Sequence, residues 1–273
     1  MNHTHKNSGN VSVFLSSSRV HNALVLLLLA IGCYVRLHGL DYESIDLEEF
    51  ACISALDAPD FASFFAEQRE LYPYGAPLAP TMLYFWIGIA GDSTYDIRLF
   101  FALTGILVMI SGYLVATLFF RVFGCSKKAA VLVLLCISLS PVHVFHSQEA
   151  RMYALVSLFT LIGMGAFLQG LRTESPFWWI LHLLANMALL ASHYFTVFLL
   201  PVYGIILLVM DRRPTYRIIF WGVGHCLLIL ILLAWVAAIP EQTEELYSYY
   251  EMPTAYNVFI HTFVGDSTTM SAT

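Results

Sequence analysis

The sequence predicts an all-α polytopic membrane protein, and three observations carry that expectation. The chain of 273 residues is 59% hydrophobic and only 12% charged, against roughly 45–50% apolar in a soluble domain. Its mean hydropathy is +0.72. Apolar runs that approach or exceed the ~18–20 residues of a bilayer span recur from residue 22 to residue 239. The five cysteines are scattered and odd in number, which suggests neither a disulfide framework nor a zinc site.

Residues 1–18 are polar, rich in Ser, Asn and His, and expected to form a disordered cytoplasmic N-terminus. The run 22–40 is the first span, read as uncleaved because many more spans follow. Arg36, near its far end, has the stem length to snorkel to the interface. Residues 50–56 and 61–70 are short amphipathic pieces split by Pro59, expected as helices lying on the membrane surface. The proline-rich stretch 72–80 is unsuited to a helix interior. Residues 81–90 are apolar but amount to about half a span. Further spans are expected at 97–120, 129–145, 150–171, 177–191, 195–210 and 218–239. Pro141 is expected to break the last turn of the run 129–145, and residues 192–194 form a natural corner. The membrane module is therefore 19–240, including an extracytoplasmic loop at 41–97. Residues 241–273 are a polar, aromatic extracytoplasmic tail, expected to be truncated.

Lys and Arg placement sets the topology, because positive charge favours the cytoplasmic side. If 81–90 does not cross, about seven spans result, with the N-terminus cytoplasmic. Lys6, Arg19, Arg121, Lys127, Lys128, Arg172, Arg212, Arg213 and Arg217 then share the cytoplasmic side. Arg36, Arg69, Arg98 and Arg151 fall near the outer side. If 81–90 crosses, Arg121, Lys127 and Lys128 move out and the bias collapses. In the seven-span arrangement every acid except Glu174 and Asp211 lies on the outer side. Polar chemistry is thus expected at the extracytoplasmic face of a plasma membrane protein, among membrane lipids and without a nucleic-acid partner.

That chemistry centres on residues 41–49 (DYESIDLEE), which gather Asp41, Glu43, Asp46, Glu48 and Glu49. Like charges repel and raise one another's pKa, so the cluster is either a solvated loop or a working carboxylate site. Helical spacing puts Asp46 and Glu49 on one face and turns Glu48 aside. One carboxylate can pair with an arginine while another acts as a general base. Periodicity leaves open which does which.

A second polar group is 146–153 (HSQEARMY). Ser147 is expected to cap a helix that starts here, with Gln148 and Glu149 in its first turn. Arg151 then lies about one turn into an apolar helix and needs a partner. Glu149 or the acidic stretch would make it structural; a phosphate would suit its forked donors. Arg98 poses the same choice, with snorkelling as the structural alternative. His146 and His193 sit at helix ends, where packing is the ordinary role of a histidine. With the carboxylates around them a divalent metal site stays open, but the spacing is not diagnostic and no residue is assigned as a ligand. Tyr153 and Tyr194 read as interface aromatics.

These residues also carry a family resemblance. SIDLEEFA at 44–51 resembles the acidic motif after the first span of GT-C class membrane glycosyltransferases. PLAPTMLY at 77–84, GDS at 91–93, RLFFALTG at 98–105, SP at 140–141, SQEARMYA at 147–154 and SHYF at 192–195 are similar to further segments, in the same order. The branch most resembled is the protein-mannosyltransferase-like and aminoarabinose-transferase-like one, in its bacterial or archaeal form. The resemblance implies a conserved seven-span module with juxtamembrane surface helices after the first span. It implies transfer of a sugar from a polyprenyl-phosphate donor to a glycan, lipid or protein acceptor, usually with inversion and with no certain cofactor. By the same resemblance Glu48 stands at the catalytic-base position, with Glu49 beside it and Asp46 as the substitute base. Arg98 or Arg151, with His146, would bind the donor phosphate. Glu149, His193 and Tyr194 are further site candidates. The family usually carries Asp where this chain has Glu48, and one extra methylene moves the carboxylate by about 1 Å, a misplacement that costs up to ~100-fold in rate. The alternatives are a non-catalytic or truncated fragment that packs with partner helices, and a transporter. A transporter calls for polar residues near the membrane midplane, and the sequence places them at span ends.

Overall fold

The structure, a computed structural model, describes residues 18–72, 75–124, 126, 128–173, 175–210 and 216–238. The chain divides into two compact units, Met1–Ala237 and Ala238–Thr273. Only Ala238 of the second is among the described residues. The expected N-terminal tail, up to residue 17, and the expected C-terminal tail lie outside them.

All regular structure among the described residues is helical. Helix α1 is Ser18–Leu37, followed by the short α2 (Leu47–Ile53), α3 (Phe61–Leu71) and α4 (Leu78–Ala90). Then come α5 (Thr94–Val122), α6 (Ala129–Leu139), α7 (Pro141–Gln148), α8 (Tyr153–Thr173) and α9 (Pro176–Ser192). A 3-10 segment, Tyr194–Phe198, leads into α10 (Leu199–Met210), and α11 is Tyr216–Ala237. Among the described residues four helices are long and apolar enough to cross a membrane: α1 over Arg19–Leu37, α5, α8 and α11. The pair α6 and α7, bent by 53°, makes a fifth when taken as one broken span. The apolar helices α4, α9 and Tyr194–Met210 are shorter.

Helix α5 is the axis of the unit. Its 29 residues run about 44 Å at 1.5 Å per residue. It packs against α1, α4, α6, α7 and α8. α1 approaches it closely at Gly32, where a Cβ would meet Met109 Sδ at 2.3 Å. The α8–α9 hairpin extends the bundle towards α10 and α11. Leucines and isoleucines of α1 and α11 such as Leu26, Leu27, Leu230 and Ile231 are exposed. Exposed apolar side chains ring the outside, as lipid contact requires.

The short helices are folded onto one end of this bundle. Cys52, Ala55, Leu56 and Phe64 from α2, α3 and the turn between them form one core with Ala79 and Leu83 of α4. Ile97 and Phe101 of α5, with Ala150 and Leu155, complete it. The loop at 41–49 is therefore held between α1, α5 and the turn that precedes α8.

Three expectations need correction. Ser147 does not cap a helix. Pro141 starts α7 at its first position, and Ser140 caps it by accepting the His143 amide. Proline is tolerated there because that amide has no intrahelical partner to lose. Ser147 consequently falls in the last turn of α7 and donates to Val144 O at 2.6 Å. Arg151 lies not in a helix but in the turn between α7 and α8. Helix α4 begins at Leu78, ahead of the expected 81, because Pro80 sits in its first turn, where the missing N–H costs nothing.

Candidate functional site

The acidic stretch is folded around Arg98. Asp46 caps α2: its Oδ1 accepts the Glu49 amide at 2.7 Å, and Glu49 Oε2 accepts the Asp46 amide at 3.1 Å. This reciprocal capping box turns Glu49 inward, to 1% exposure. There its Oε1 accepts Arg98 Nε at 2.8 Å and its Oε2 accepts Arg98 Nη2 at 2.6 Å. Oε1 also accepts the Ala150 amide at 2.7 Å. A carboxylate offers about four lone-pair positions, and all are taken. Arg98 is equally complete. Its Nη1 donates to Leu40 O at 2.9 Å and Glu43 O at 2.8 Å, and its Nη2 also donates to Ser44 O at 3.0 Å. Every N–H of the guanidinium is used inside the protein.

Burial pushes the Glu49 carboxyl up, but the Arg98 hydrogen bonds, the Ala150 and Asp46 amides and the Arg98 charge outweigh it and hold it below its ordinary range. Glu49 is thus a fixed anion with no lone pair free for an incoming proton. Arg98 neither snorkels nor keeps a donor for a phosphate. Together they pin residues 40–49 to α5.

Glu48 faces the other way. Its side chain is 64% exposed and its Oε2 pairs with Arg151 Nη1. Arg151 also donates from Nη2 to the Tyr153 hydroxyl at 3.1 Å, and its guanidinium lies 4.8 Å from the Tyr153 ring centre. Tyr153 continues the cluster: its ring is 4.5 Å from that of His146 and 6.4 Å from that of His193. His146 Nδ1 is 3.0 Å from Glu149 Oε2. Burial pushes the Glu149 carboxyl above its ordinary range, and the His146 hydrogen bond and Arg151 charge only partly offset this. Tyr194 is held from both sides, donating to Gly75 O at 2.9 Å and accepting from Trp235 Nε1 at 2.8 Å.

The fold therefore brings Glu48, Arg151, Tyr153, His146, Glu149 and His193 together and sets Glu49, Arg98 and the Asp46 cap beneath them as support. A cavity of about 160 Å³ opens beside Tyr153 and His146. Among the described residues no group of three or more His, Cys, Asp and Glu side chains is gathered as metal ligands would be.

Two features escape the sequence reading. Arg36, expected to snorkel, is completely buried. It donates to Gly32 O at 3.2 Å, Ser138 O at 3.2 Å and Ile137 O at 2.8 Å. The signal was Pro141: without an N–H it leaves the carbonyl four residues earlier, that of Ile137, without a helical partner. The second is a polar trio inside the bundle. Asn186 Nδ2 lies 3.1 Å from His182 Nε2 and 3.3 Å from His225 Nε2, and all three side chains are buried. His182 Nδ1 also lies 2.9 Å from Gly163 O, and His225 Nδ1 lies 2.7 Å from Trp221 O. Such contacts fasten α8, α9 and α11 to one another.

No protein-family model matches this chain, and no curated protein matches it.

Proposed function

We propose that the chain is a membrane glycosyltransferase of the GT-C type, which moves a sugar from a polyprenyl-phosphate donor to an acceptor hydroxyl. In this reading α1, α5, the α6–α7 pair, α8, α9, the Tyr194–Met210 segment and α11 are seven spans of a plasma membrane protein. The N-terminus is cytoplasmic, and α2 and α3 lie on the extracytoplasmic surface.

One observation carries the proposal. Two adjacent glutamates are divided between two roles: Glu49 is closed into the scaffold, and Glu48 is left open and oriented by Arg151. A general base must reach the proton that it takes, and a rigid support improves its aim. Glu48 accepts the proton of the acceptor hydroxyl as that oxygen attacks the anomeric carbon. The bond from that carbon to the donor phosphate oxygen breaks, and its electron pair stays on the phosphate. The leaving charge develops beside Arg151 and His146. Cationic and N–H groups aimed at charge that grows in the transition state lower the barrier. Inversion follows from attack opposite the departing phosphate. Asp46 holds the α2 cap and positions Glu48 instead of acting as the base.

The test uses membranes that carry the chain and a radiolabelled polyprenyl-phosphate-hexose pool. Loss of transfer in Glu48→Gln, with Asp46→Asn retaining part of it, is the expected pattern. Loss in Asp46→Asn alone would move the base to Asp46. A transporter is the second reading, and the buried trio His182, Asn186 and His225 is the observation in its favour. Its contacts to one another and to Gly163 O and Trp221 O give the trio a structural use without a cargo.

A further inference from the structure

Polar contacts tie α9, and the corner that follows it, to α11 at two heights. One tie is Asn186 Nδ2 with His225 Nε2, 3.3 Å apart. The other lies further along α11, where Trp235 Nε1 donates to the Tyr194 hydroxyl at 2.8 Å. At 1.5 Å per residue the rise from His225 to Trp235 is about 15 Å. That is the depth of one leaflet of a ~30 Å hydrocarbon core.

Between the ties the two helices do not close on each other, and an apolar slot of about 150 Å³ remains. Leu190 of α9 and Leu228 of α11 form its floor and are buried in one core cluster. Met187 and Ile231 line it as well, and they are 46% and 60% exposed. The slot is therefore open sideways, and it continues inward the exposed apolar surface that the bilayer covers. An unfilled apolar gap forfeits the packing contacts of its lining. Water needs polar partners that this lining does not offer. Hydrocarbon from the bilayer fills it without either cost.

The end at Tyr194 and Trp235 suits a headgroup. The Tyr194 hydroxyl donates to Gly75 O at 2.9 Å, and Pro77 lines the slot from the same loop. Tyrosine and tryptophan are at home at headgroup depth. Arg69 of α3 brings a positive charge there, its guanidinium 5.0 Å from the Trp235 ring centre. A phosphate complements that charge.

We propose that this slot holds one acyl chain of a bilayer phospholipid, with the lipid phosphate facing Arg69. The inference rests on the chain crossing a membrane and is independent of sugar transfer. The slot shares no lining residue with the cavity beside Tyr153 and His146. Its depth favours an acyl chain, which is one leaflet long. A polyprenyl chain is longer and carries a methyl branch on each isoprene unit.

Tryptophan fluorescence of the purified full chain in detergent tests this, because Trp235 lines the slot and bromine quenches an indole at close range. The probe is phosphatidylcholine with a dibrominated acyl chain. In wild type, quenching is expected to saturate at one lipid per chain. Ala191 lines the slot from α9. Ala191→Leu is expected to raise the lipid concentration at half-quenching about fivefold or more, the equivalent of an overpacking cost of ~1 kcal/mol. Leu232→Phe fills the slot from α11 and decides the matter if Ala191→Leu does not fold. Dibrominated diacylglycerol, which lacks the phosphate, is expected to bind several-fold more weakly, and equal binding overturns the contact with Arg69. Quenching that rises without saturating, or that is unchanged in the folded variants, reports general contact with lipid and overturns the proposal. Polyprenyl phosphate that displaces the probe better than unbrominated phosphatidylcholine assigns the slot to a polyprenyl chain and overturns it too.

Discussion

Adjacent residues of one chemical type end in opposite environments here. Glu49 is 1% exposed and closed by Arg98, Ala150 and Asp46, while the Glu48 side chain is 64% exposed. Removing one partner of a buried, hydrogen-bonded ion pair costs about 3–5 kcal/mol. Glu49→Gln and Arg98→Met are each expected to cost stability of that order, read as a lower melting temperature in detergent. Glu48→Gln, at an exposed position, is expected to stay within about 0.5 kcal/mol of wild type. The Glu49 carboxyl also predicts a pH dependence. Its folded pKa lies below the ordinary value of 4.5, so its stabilisation is complete above that value and is lost as pH falls through the folded pKa. Glu149, raised by burial, acts in the opposite sense: its contribution is present below the ordinary range and lost as pH rises through its folded pKa. Melting temperature followed against pH, in wild type and in Glu49→Gln, checks the first of these: the acid loss should shrink in the variant. Helical spacing made part of this legible, because it placed Asp46 and Glu49 together and Glu48 apart. The closure of Arg98 was not legible, because its acceptors are the carbonyls of Leu40, Glu43 and Ser44, more than fifty residues away along the chain.

At the scale of elements, one proline and one glycine set the breaks between helices. Pro141 ends α6 and begins α7, and the break turns the chain by 53°. The sequence announced the break but not its consequences. Reading 147–151 as a helix start ignored the α7 helix that Ser140 and Pro141 initiate, and so misplaced Ser147 and Arg151. Arg36 was misjudged for a related reason: its role depends on a carbonyl freed in another helix. Gly91 closes α4 with φ 108 and ψ 175, a region nearly reserved for glycine. A Cβ there would also come within 2.8 Å of Asp96 Oδ2. Gly91→Ala is therefore expected to cost about 1–3 kcal/mol, read as a lower melting temperature. It should also loosen the α4–α5 corner, where Trp86 Nε1 donates to Asp96 O at 2.8 Å.

For the whole molecule, hydropathy located the apolar helices, because the bilayer length scale is written directly in run length. It did not predict the interior trio His182, Asn186 and His225, since single polar residues inside an apolar run barely change the average. Their partners lie on other helices, and only packing brings them together. The proposed seven-span arrangement makes a definite statement about sides. In a cysteine-free background, Ser126→Cys is expected to react with a membrane-impermeant thiol reagent only after permeabilisation. Gly75→Cys is expected to react in intact cells. The reverse pattern would invert the orientation, and equal labelling would remove the odd span count.

The central claim is that Glu48 does chemistry while Glu49 holds the structure. It is tested most directly by measuring sugar transfer and melting temperature side by side for Glu48→Gln and Glu49→Gln. The account predicts that Glu48→Gln melts like wild type and transfers nothing, while Glu49→Gln melts well below both. A Glu48→Gln protein that transfers sugar at the wild-type rate would contradict it.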